Sequence, residues 1–322
     1  MLRRLLPDPF IVALILAVLL ASLLPARGGF GGVVDALATA SIMLLFFFHG
    51  AKLPRDQVLA GLTHWRLHLV ILAATFALFP LLVFVLSIAV PGALPPLLWT
   101  GMLFLGALPA TVQSAIAFTS IARGNVPAAI ASSSASQMLG IALTPLLVSL
   151  LAGARGAAVE MTGVGLIVVE IFVPFLAGHL LRPWIGAWVT RHKPLIGFTD
   201  RGTVILAVYS AFSAAVIEGL WHRLPVATLG VVTLLCAILL AAALALTWAA
   251  GRAGGFGRAD RITILFCGTK KSLIQGVPMA RVLFAGPDVG VILLPIMIFH
   301  QMQLMVCAWI AARFARDDVG KG

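Results

Sequence analysis

The chain consists of apolar runs long enough to cross a bilayer, separated by short polar connections. A membrane-spanning helix needs about 20 predominantly apolar residues. We predict ten spans, with the longest polar connections at Lys52–His68, Arg182–Arg201 and Gly251–Arg261. The spans cover residues 9–26, 32–50, 67–90, 97–122, 126–152, 160–181, 200–219, 226–250, 262–285 and 289–313. The sequence therefore predicts an all-α polytopic membrane protein without a separate soluble domain.

The charged residues agree with a membrane location and exclude a nucleic-acid partner. Only 10% of the 322 residues are charged, against about 25% in soluble domains. The net charge of +11 comes from basic residues scattered between apolar runs rather than clustered on one segment. Sixteen Lys and Arg residues lie on the side that holds both termini, and four lie on the other side. The positive-inside rule then places both termini in the cytoplasm, and we expect a bacterial inner membrane.

The ten spans divide into two sets of five, residues 1–158 and 159–322. An odd number of spans per half means that the second half enters the bilayer from the opposite face. The halves are therefore expected to be inverted repeats, as in many secondary transporters. The interruptions of the fourth and ninth spans support the repeat, because they lie about 160 residues apart. Paired interruptions of this kind indicate a transport site.

The stretch Cys267–Met279 is too polar for a helix that faces lipid. It holds Lys270 and Lys271 inside the ninth span, and a charge at the bilayer centre costs about 2.5 kcal/mol or more. We expect helix breaks at Pro109 in the fourth span and at three positions in the ninth. These three are Gly268, Gly276 and Pro278.

Broken helices leave backbone carbonyls and amides free to bind ions or substrate. Side chains near the breaks add further ligands. The candidates are Thr111, Gln113 and Ser114 in the fourth span and Thr269, Lys270, Lys271, Ser272 and Gln275 in the ninth. The fifth span adds a cluster of serines that includes Ser133. Packing of helices through small residues is an equally good explanation for any one of these serines.

Five motifs resemble one family of transporters. They are Phe46–Leu53, Gly61–His68, Leu108–Ser114, Ala122–Val126 and Cys267–Pro278. The chain resembles the bile acid:sodium symporter (ASBT-like) family, and most closely its SBF-like branch, to which the seventh member of solute carrier family ten belongs. The resemblance implies a panel domain of spans 1, 2, 6 and 7 and a core domain of spans 3–5 and 8–10. It also implies that the discontinuous fourth and ninth spans cross.

The sodium-coupled members of this family bind two cations behind the crossing. By motif position, the resemblance assigns cation ligands to Ser114, Ser133, Thr75 and Ser272. This chain departs from the pattern where it matters for charge. The ninth-span glutamate of those members is absent, since no acidic residue lies between 262 and 282. Two other ligand positions are occupied by alanines, Ala115 and Ala129.

The two lysines change what this site can bind. A sodium ion about 4 Å from a lysine ammonium meets a repulsion of about 4 kcal/mol at an effective dielectric near 20. One lysine could replace a sodium ion as a built-in charge, or it could carry a coupling proton. Glu170 and His49 are the candidate charge or proton partners within spans.

We therefore predict a secondary transporter, not an enzyme, that moves a small organic anion by alternating access. Coupling to sodium, coupling to protons and no coupling all stay open. No cofactor is expected beyond a possible sodium ion, and the three cysteines form neither a disulfide framework nor a metal pattern. The partners are the small-molecule substrate and the lipid bilayer; the oligomeric state stays open. The alternatives are a non-transporting membrane regulator or interaction subunit, a channel, and an enzyme with a Ser114–Lys270 dyad.

Overall fold

The computed structural model describes residues 9–52, 64–153, 165–166, 168–220, 224–284 and 286–319. These residues form helices and short connections, with no strand among them. In chain order the main helices are α1 (Pro9–Leu23), α2 (Gly28–Lys52), α3 (Trp65–Ala89), α4 (Pro96–Ala107), α5 (Val112–Ile121), α6 (Val126–Gly153), α7 (Val168–Arg191), α8 (Lys193–Ile217), α9 (Val226–Ala253), α10 (Arg258–Gly268), α11 (Leu273–Leu283) and α12 (Val289–Val319).

Most of these helices have the length and composition of membrane spans. Seven of the described helices pass both tests, and α4 with α5 makes an eighth if the bent pair is one span. Helix α1 is apolar but has only 15 residues. Many large apolar side chains on these helices are exposed, which is typical of a surface that faces lipid rather than water. The prediction of an all-helical integral membrane protein is confirmed, and the count of ten spans stays a prediction.

The break between α4 and α5 follows from its proline. Pro109 disfavours helical geometry at the residue before it, and Leu108 is extended with φ −66° and ψ 149°. The two helices are bent by 58° at this break. The break between α10 and α11 covers Thr269–Ser272 and contains both lysines.

Two predicted breaks in the ninth span need correction. Gly276 and Pro278 lie inside α11, which is helical from Leu273 to Leu283, whereas Gly268 is the last residue of α10. Gly276 instead allows a close approach, because a Cβ there would lie 2.7 Å from a methyl carbon of Leu108. Pro278 is six residues into α11, so only one helical turn precedes it and few backbone bonds are lost.

The predicted polar connection Arg182–Arg201 also needs correction. Helix α7 continues to Arg191 and α8 begins at Lys193, so His192 is the residue between them. Several polar and aromatic side chains of this segment are exposed, among them Trp184, Arg191 and Lys193. Such residues mark the membrane–water interface, which explains why charge did not end the helix.

The chain divides into two compact units. The first unit contains residues 1–53, 160–225 and 277–293. In it α2 and α7 pack backbone to backbone, because Gly50 faces Phe175 and Gly178 faces Phe47. Lys52 and Asp200 form an ion pair of 2.7 Å, with Asp200 almost fully buried.

The second unit contains residues 54–159, 226–276 and 294–322. One of its cores joins α10 to α12 through Ile262, Phe266, Cys307 and Ala311. Both helix breaks, at 108–111 and 269–272, lie in this unit. The sequence-based boundary at residue 158 falls outside the described residues, as do Leu53 and Gly61–Thr63 of the first two motifs.

Candidate functional site

The two helix breaks are joined directly by hydrogen bonds. The Ser272 amide donates to the carbonyl of Pro109 at 2.9 Å. The Thr111 hydroxyl donates to the carbonyl of Lys271, also at 2.9 Å. Each break supplies a partner for backbone groups that the other break leaves free. This pairing meets the requirement that backbone in a membrane interior be hydrogen-bonded internally.

The ammonium of Lys271 fills the space beside this junction. Its Nζ donates to the carbonyls of Thr75 at 2.8 Å, Gly106 at 2.7 Å and Leu108 at 2.8 Å. The Phe79 ring lies 4.3 Å from the same nitrogen, a cation–π distance. The residue is 1% exposed. All three ammonium donors are thus satisfied by backbone oxygens, without a carboxylate.

The sequence explains why these carbonyls are free. Ala74–Leu78 is a π-helical turn, in which the Phe79 amide donates to Ala74 instead of to Thr75. The residue that could bond Thr75 in the wider π pattern is Pro80, which has no N–H. The carbonyl of Thr75 is therefore left for the lysine.

The carbonyl of Gly106 is freed by a serine of the fifth span. In a continuous helix the Ala110 amide would bond it, but that amide donates to Ser136 Oγ at 3.0 Å. Thr144 similarly bonds the carbonyl of Ala107 at 2.8 Å. The serine cluster thus has at least one member that supports the break, which packing alone does not require.

Gln303 on α12 was missed by sequence reasoning and holds the backbone of Lys271 from both sides. Its Oε1 accepts from the Lys271 amide at 2.9 Å, and its Nε2 donates to the Lys271 carbonyl at 2.8 Å. A glutamine within an apolar span is a detectable signal. The sequence does not tell, however, which residue of another helix it contacts.

Replacement of Gln303 by leucine is expected to destabilise the protein by about 2 kcal/mol, since the buried Lys271 amide loses its acceptor while the Lys271 carbonyl keeps the Thr111 hydroxyl as a donor. Thermal unfolding of the purified protein in detergent measures the loss. Gln301→Leu is the matched control, because Gln301 Oε1 has no hydrogen-bond partner among the described residues. Equal effects of the two substitutions would contradict the assignment.

Lys270 differs from its neighbour. It is fully buried, and its Nζ lies 4.1 Å from the Phe118 ring. Among the residues that the structure describes, this nitrogen has no hydrogen-bond partner. The thiols of Cys267 and Cys307 lie near this nitrogen. The ring face attracts the ammonium, but its three donors are not matched by acceptors.

The positions assigned to cation ligands by the resemblance form a less polar region here. Ala115 and Ala129 belong to a buried apolar cluster with Leu67, Ile71 and Ile264. Ser133 donates to the sulfur of Cys267 at 3.7 Å. The hydroxyl of Ser114 is buried without a partner in the described part of the chain. Methyl groups and a thiol thus lie where the resemblance implies cation ligands.

The other candidate residues serve mainly local roles. Thr269 bonds the carbonyl of Leu265 at 2.6 Å, and Ser272 accepts from the Gln275 amide at 3.3 Å. The Gln275 side chain donates to the carbonyl of Gln137 at 3.1 Å. Gln113 is exposed on α5.

Glu170 and His49 belong to the first unit. Glu170 lies in the π-helical turn Val168–Phe172 and is half-buried. His49 donates from Nδ1 to the carbonyl of Leu45 at 2.8 Å, beside the Lys52–Asp200 pair. Their assignment as proton or charge partners stays a prediction.

A membrane protein with two joined helix breaks and buried ionisable groups has the features of the transporter class. The chain belongs to the SBF-like CPA transporter family, whose model matches residues 8–316. An uncharacterized protein of Pseudomonas aeruginosa is 55% identical over 98% of this chain and 96% of its own length. YfeH of Escherichia coli, a provisionally named symporter, is 50% identical over 96% of this chain and 93% of its own length. Sodium/bile acid cotransporter 7 of Rattus norvegicus is 29% identical over 95% of this chain and 92% of its own length. The family prediction is confirmed.

Proposed function

We propose that the protein is a secondary transporter in which Lys271 replaces one coupling cation. The single observation that carries this proposal is the Lys271 ammonium within 2.8 Å of three backbone carbonyls, two beside the α4–α5 break and one in the π-helical turn of α3. Backbone carbonyls of broken helices are the groups that bind sodium in secondary transporters. A lysine that already occupies such a cluster leaves neither the space nor the charge for a sodium ion.

The second lysine has a different role in this proposal. Lys270 carries a proton between the two faces of the membrane, because its ammonium has no hydrogen-bond partner among the described residues to hold it in one state. The apolar cluster around Ala115 and Ala129 replaces a second cation site. Transport is therefore coupled to protons and not to sodium.

The substrate is a small organic anion. Two lysines and the N-terminal ends of α5 and α11 favour negative charge near the breaks. The name of the rat relative, a sodium/bile acid cotransporter, gives an organic anion as the cargo of that protein. The proposed architecture has ten spans in two inverted five-span repeats, with a panel and a core that move in alternating access. Both termini are cytoplasmic, and the membrane is the bacterial inner membrane.

Uptake into proteoliposomes under imposed ion gradients tests the coupling. Taurocholate, succinate and benzoate serve as radiolabelled probes. We expect a proton gradient to drive uptake of at least one probe and an inward sodium gradient to add nothing. Lys270→Gln should abolish the proton-driven accumulation but leave exchange of probe across the membrane. Sodium-driven uptake by the unaltered protein would refute the proposal.

The lack of any flux with all probes would favour the alternative of a regulator on the same fold. Arg252→Gln is the matched control in this experiment, since Arg252 is exposed in the last turn of α9 and belongs to neither break.

A further inference from the structure

The first unit contains a cavity with charged side chains in its lining, formed by residues that the transport proposal does not use. Its volume is about 420 Å³, and all its lining residues belong to that unit. It lies between the beginning of α2, the end of α8 and the segment that leads into α12. This size is within the range of small-molecule sites, about 300–1,000 Å³.

A closed group of three side chains forms one wall of the cavity. Arg281 donates to the hydroxyl of Ser210 and, at 3.2 Å, to a carboxylate oxygen of Asp35. Ser210 donates to the same oxygen of Asp35. Only one carboxylate oxygen is therefore used within this group. The Asp35 side chain is 60% exposed and the Arg281 side chain 16%, so both retain an accessible edge.

The last turns of α8 supply two further polar groups to the lining. Ser213 is 2% exposed, and its hydroxyl has no hydrogen-bond partner among the described residues although it lines the cavity. Glu218 is an exposed carboxylate at the end of the same helix. A buried hydroxyl without a partner is uncommon in a native structure and indicates a missing ligand atom.

The charges of the lining select the class of ligand. Asp35 and Glu218 are negative, and Arg281 is positive. A simple anion would meet two carboxylates, and a simple cation would meet a guanidinium. A molecule with one carboxylate and one ammonium gives each charge an opposite partner.

We propose that this cavity binds a small zwitterion, with its carboxylate on Arg281 and its ammonium between Asp35 and Glu218. The Ser213 hydroxyl donates to the ligand carboxylate. Two of the five guanidinium N–H donors of Arg281 are used by Ser210 and Asp35, and a charge-assisted bond from another of them can hold the ligand carboxylate. The glycines Gly28, Gly31 and Gly32 line the same cavity and leave room beside the charges. This site goes beyond the proposed function, because it involves neither lysine nor either helix break.

Calorimetric titration of the full-length protein in lipid nanodiscs tests the proposal. The probes are γ-aminobutyrate, butyrate and butylamine, which share one carbon chain and differ only in charge. We expect γ-aminobutyrate to bind about tenfold or more tightly than either of the others, since each lacks one charged hydrogen-bonding group. Equal binding of butyrate, or no binding of γ-aminobutyrate, would overturn the proposal.

Three substitutions assign the binding to this cavity. Arg281→Gln is expected to abolish the preference for γ-aminobutyrate over butylamine, and Glu218→Gln the preference over butyrate. Ser213→Ala, which changes no charge, should weaken γ-aminobutyrate several-fold and keeps the test valid if Arg281→Gln does not fold. Arg252→Gln is the control and should bind as the unaltered protein does. Unchanged binding in both Ser213→Ala and Glu218→Gln would refute the site. Failure here leaves the sodium and proton experiments unaffected, because the two sites share no residue.

Discussion

Substitution of Lys271 by methionine is expected to destabilise the protein by about 4 kcal/mol or more, since three buried carbonyls lose their only described donor. Methionine retains most of the volume of the lysine stem, so the effect reports the lost ammonium rather than a cavity. A lysine within an apolar interior normally lowers the stability of the folded protein. Lys271 is expected to raise it, because its ammonium is the hydrogen-bond donor for three buried carbonyls. Thermal unfolding in detergent measures the change. Lys193→Met is the matched control, as Lys193 is exposed at the start of α8.

The shorter variant Lys271→Ala is expected to create a sodium site. It leaves three carbonyl oxygens around an empty volume, the kind of oxygen cluster that binds a small cation. We expect added sodium to raise the unfolding temperature of Lys271→Ala and not that of the unaltered protein, because ligand binding to the folded state stabilises it. Choline chloride controls for ionic strength. Equal losses of stability in Lys271→Met and Lys193→Met would contradict the proposal that Lys271 replaces a cation. The proposal would also fail if sodium raised the unfolding temperature of the unaltered protein as much as that of Lys271→Ala.

Substitution of Gly178 by alanine is expected to destabilise the protein by about 3 kcal/mol or more, because the added methyl group overpacks the contact between α7 and α2. A Cβ at Gly178 would collide with the carbonyl of Phe47 and lie 3.2 Å from the amide of Ala51. The obstructing atoms are backbone atoms of α2, so no side-chain rotation relieves the contact. Membrane helices use small residues in this way to bring their backbones together. The same unfolding experiment measures the loss.

The partner position supplies an internal check. Gly50→Ala on α2 would collide with Phe175 and approach the amide of His179 to 2.9 Å, so a comparable loss is expected. Gly230→Ala on α9 is the control, because a Cβ there meets nothing within 4 Å. Alanine is also the better helix former, and this variant should be neutral or slightly stabilised. If Gly178→Ala is as stable as Gly230→Ala, the close contact of α2 and α7 is wrong.

The membrane class and the family could be predicted from the sequence alone. Apolar runs of span length and scattered basic residues are local features, and they do not depend on which helix lies beside which. The break at Pro109 could be predicted for the same reason, since a proline acts on the residue that precedes it. Gly276 and Pro278 were assigned wrongly because the same residue types also occur inside helices. At Gly276 the glycine serves close packing against Leu108.

The anomaly of two lysines in a span was likewise visible from the sequence, because the cost of a buried charge depends only on the residue and its depth. Their separate environments were decided by tertiary structure. Adjacent residues in an unwound segment point in different directions, and Lys271 reaches carbonyls from residues more than 160 positions away. The contacts of Gln303 and the lining of the cavity around Arg281 also depend on the tertiary structure. A hydrogen bond joins groups that the fold brings together, and its second partner is not specified by the local sequence.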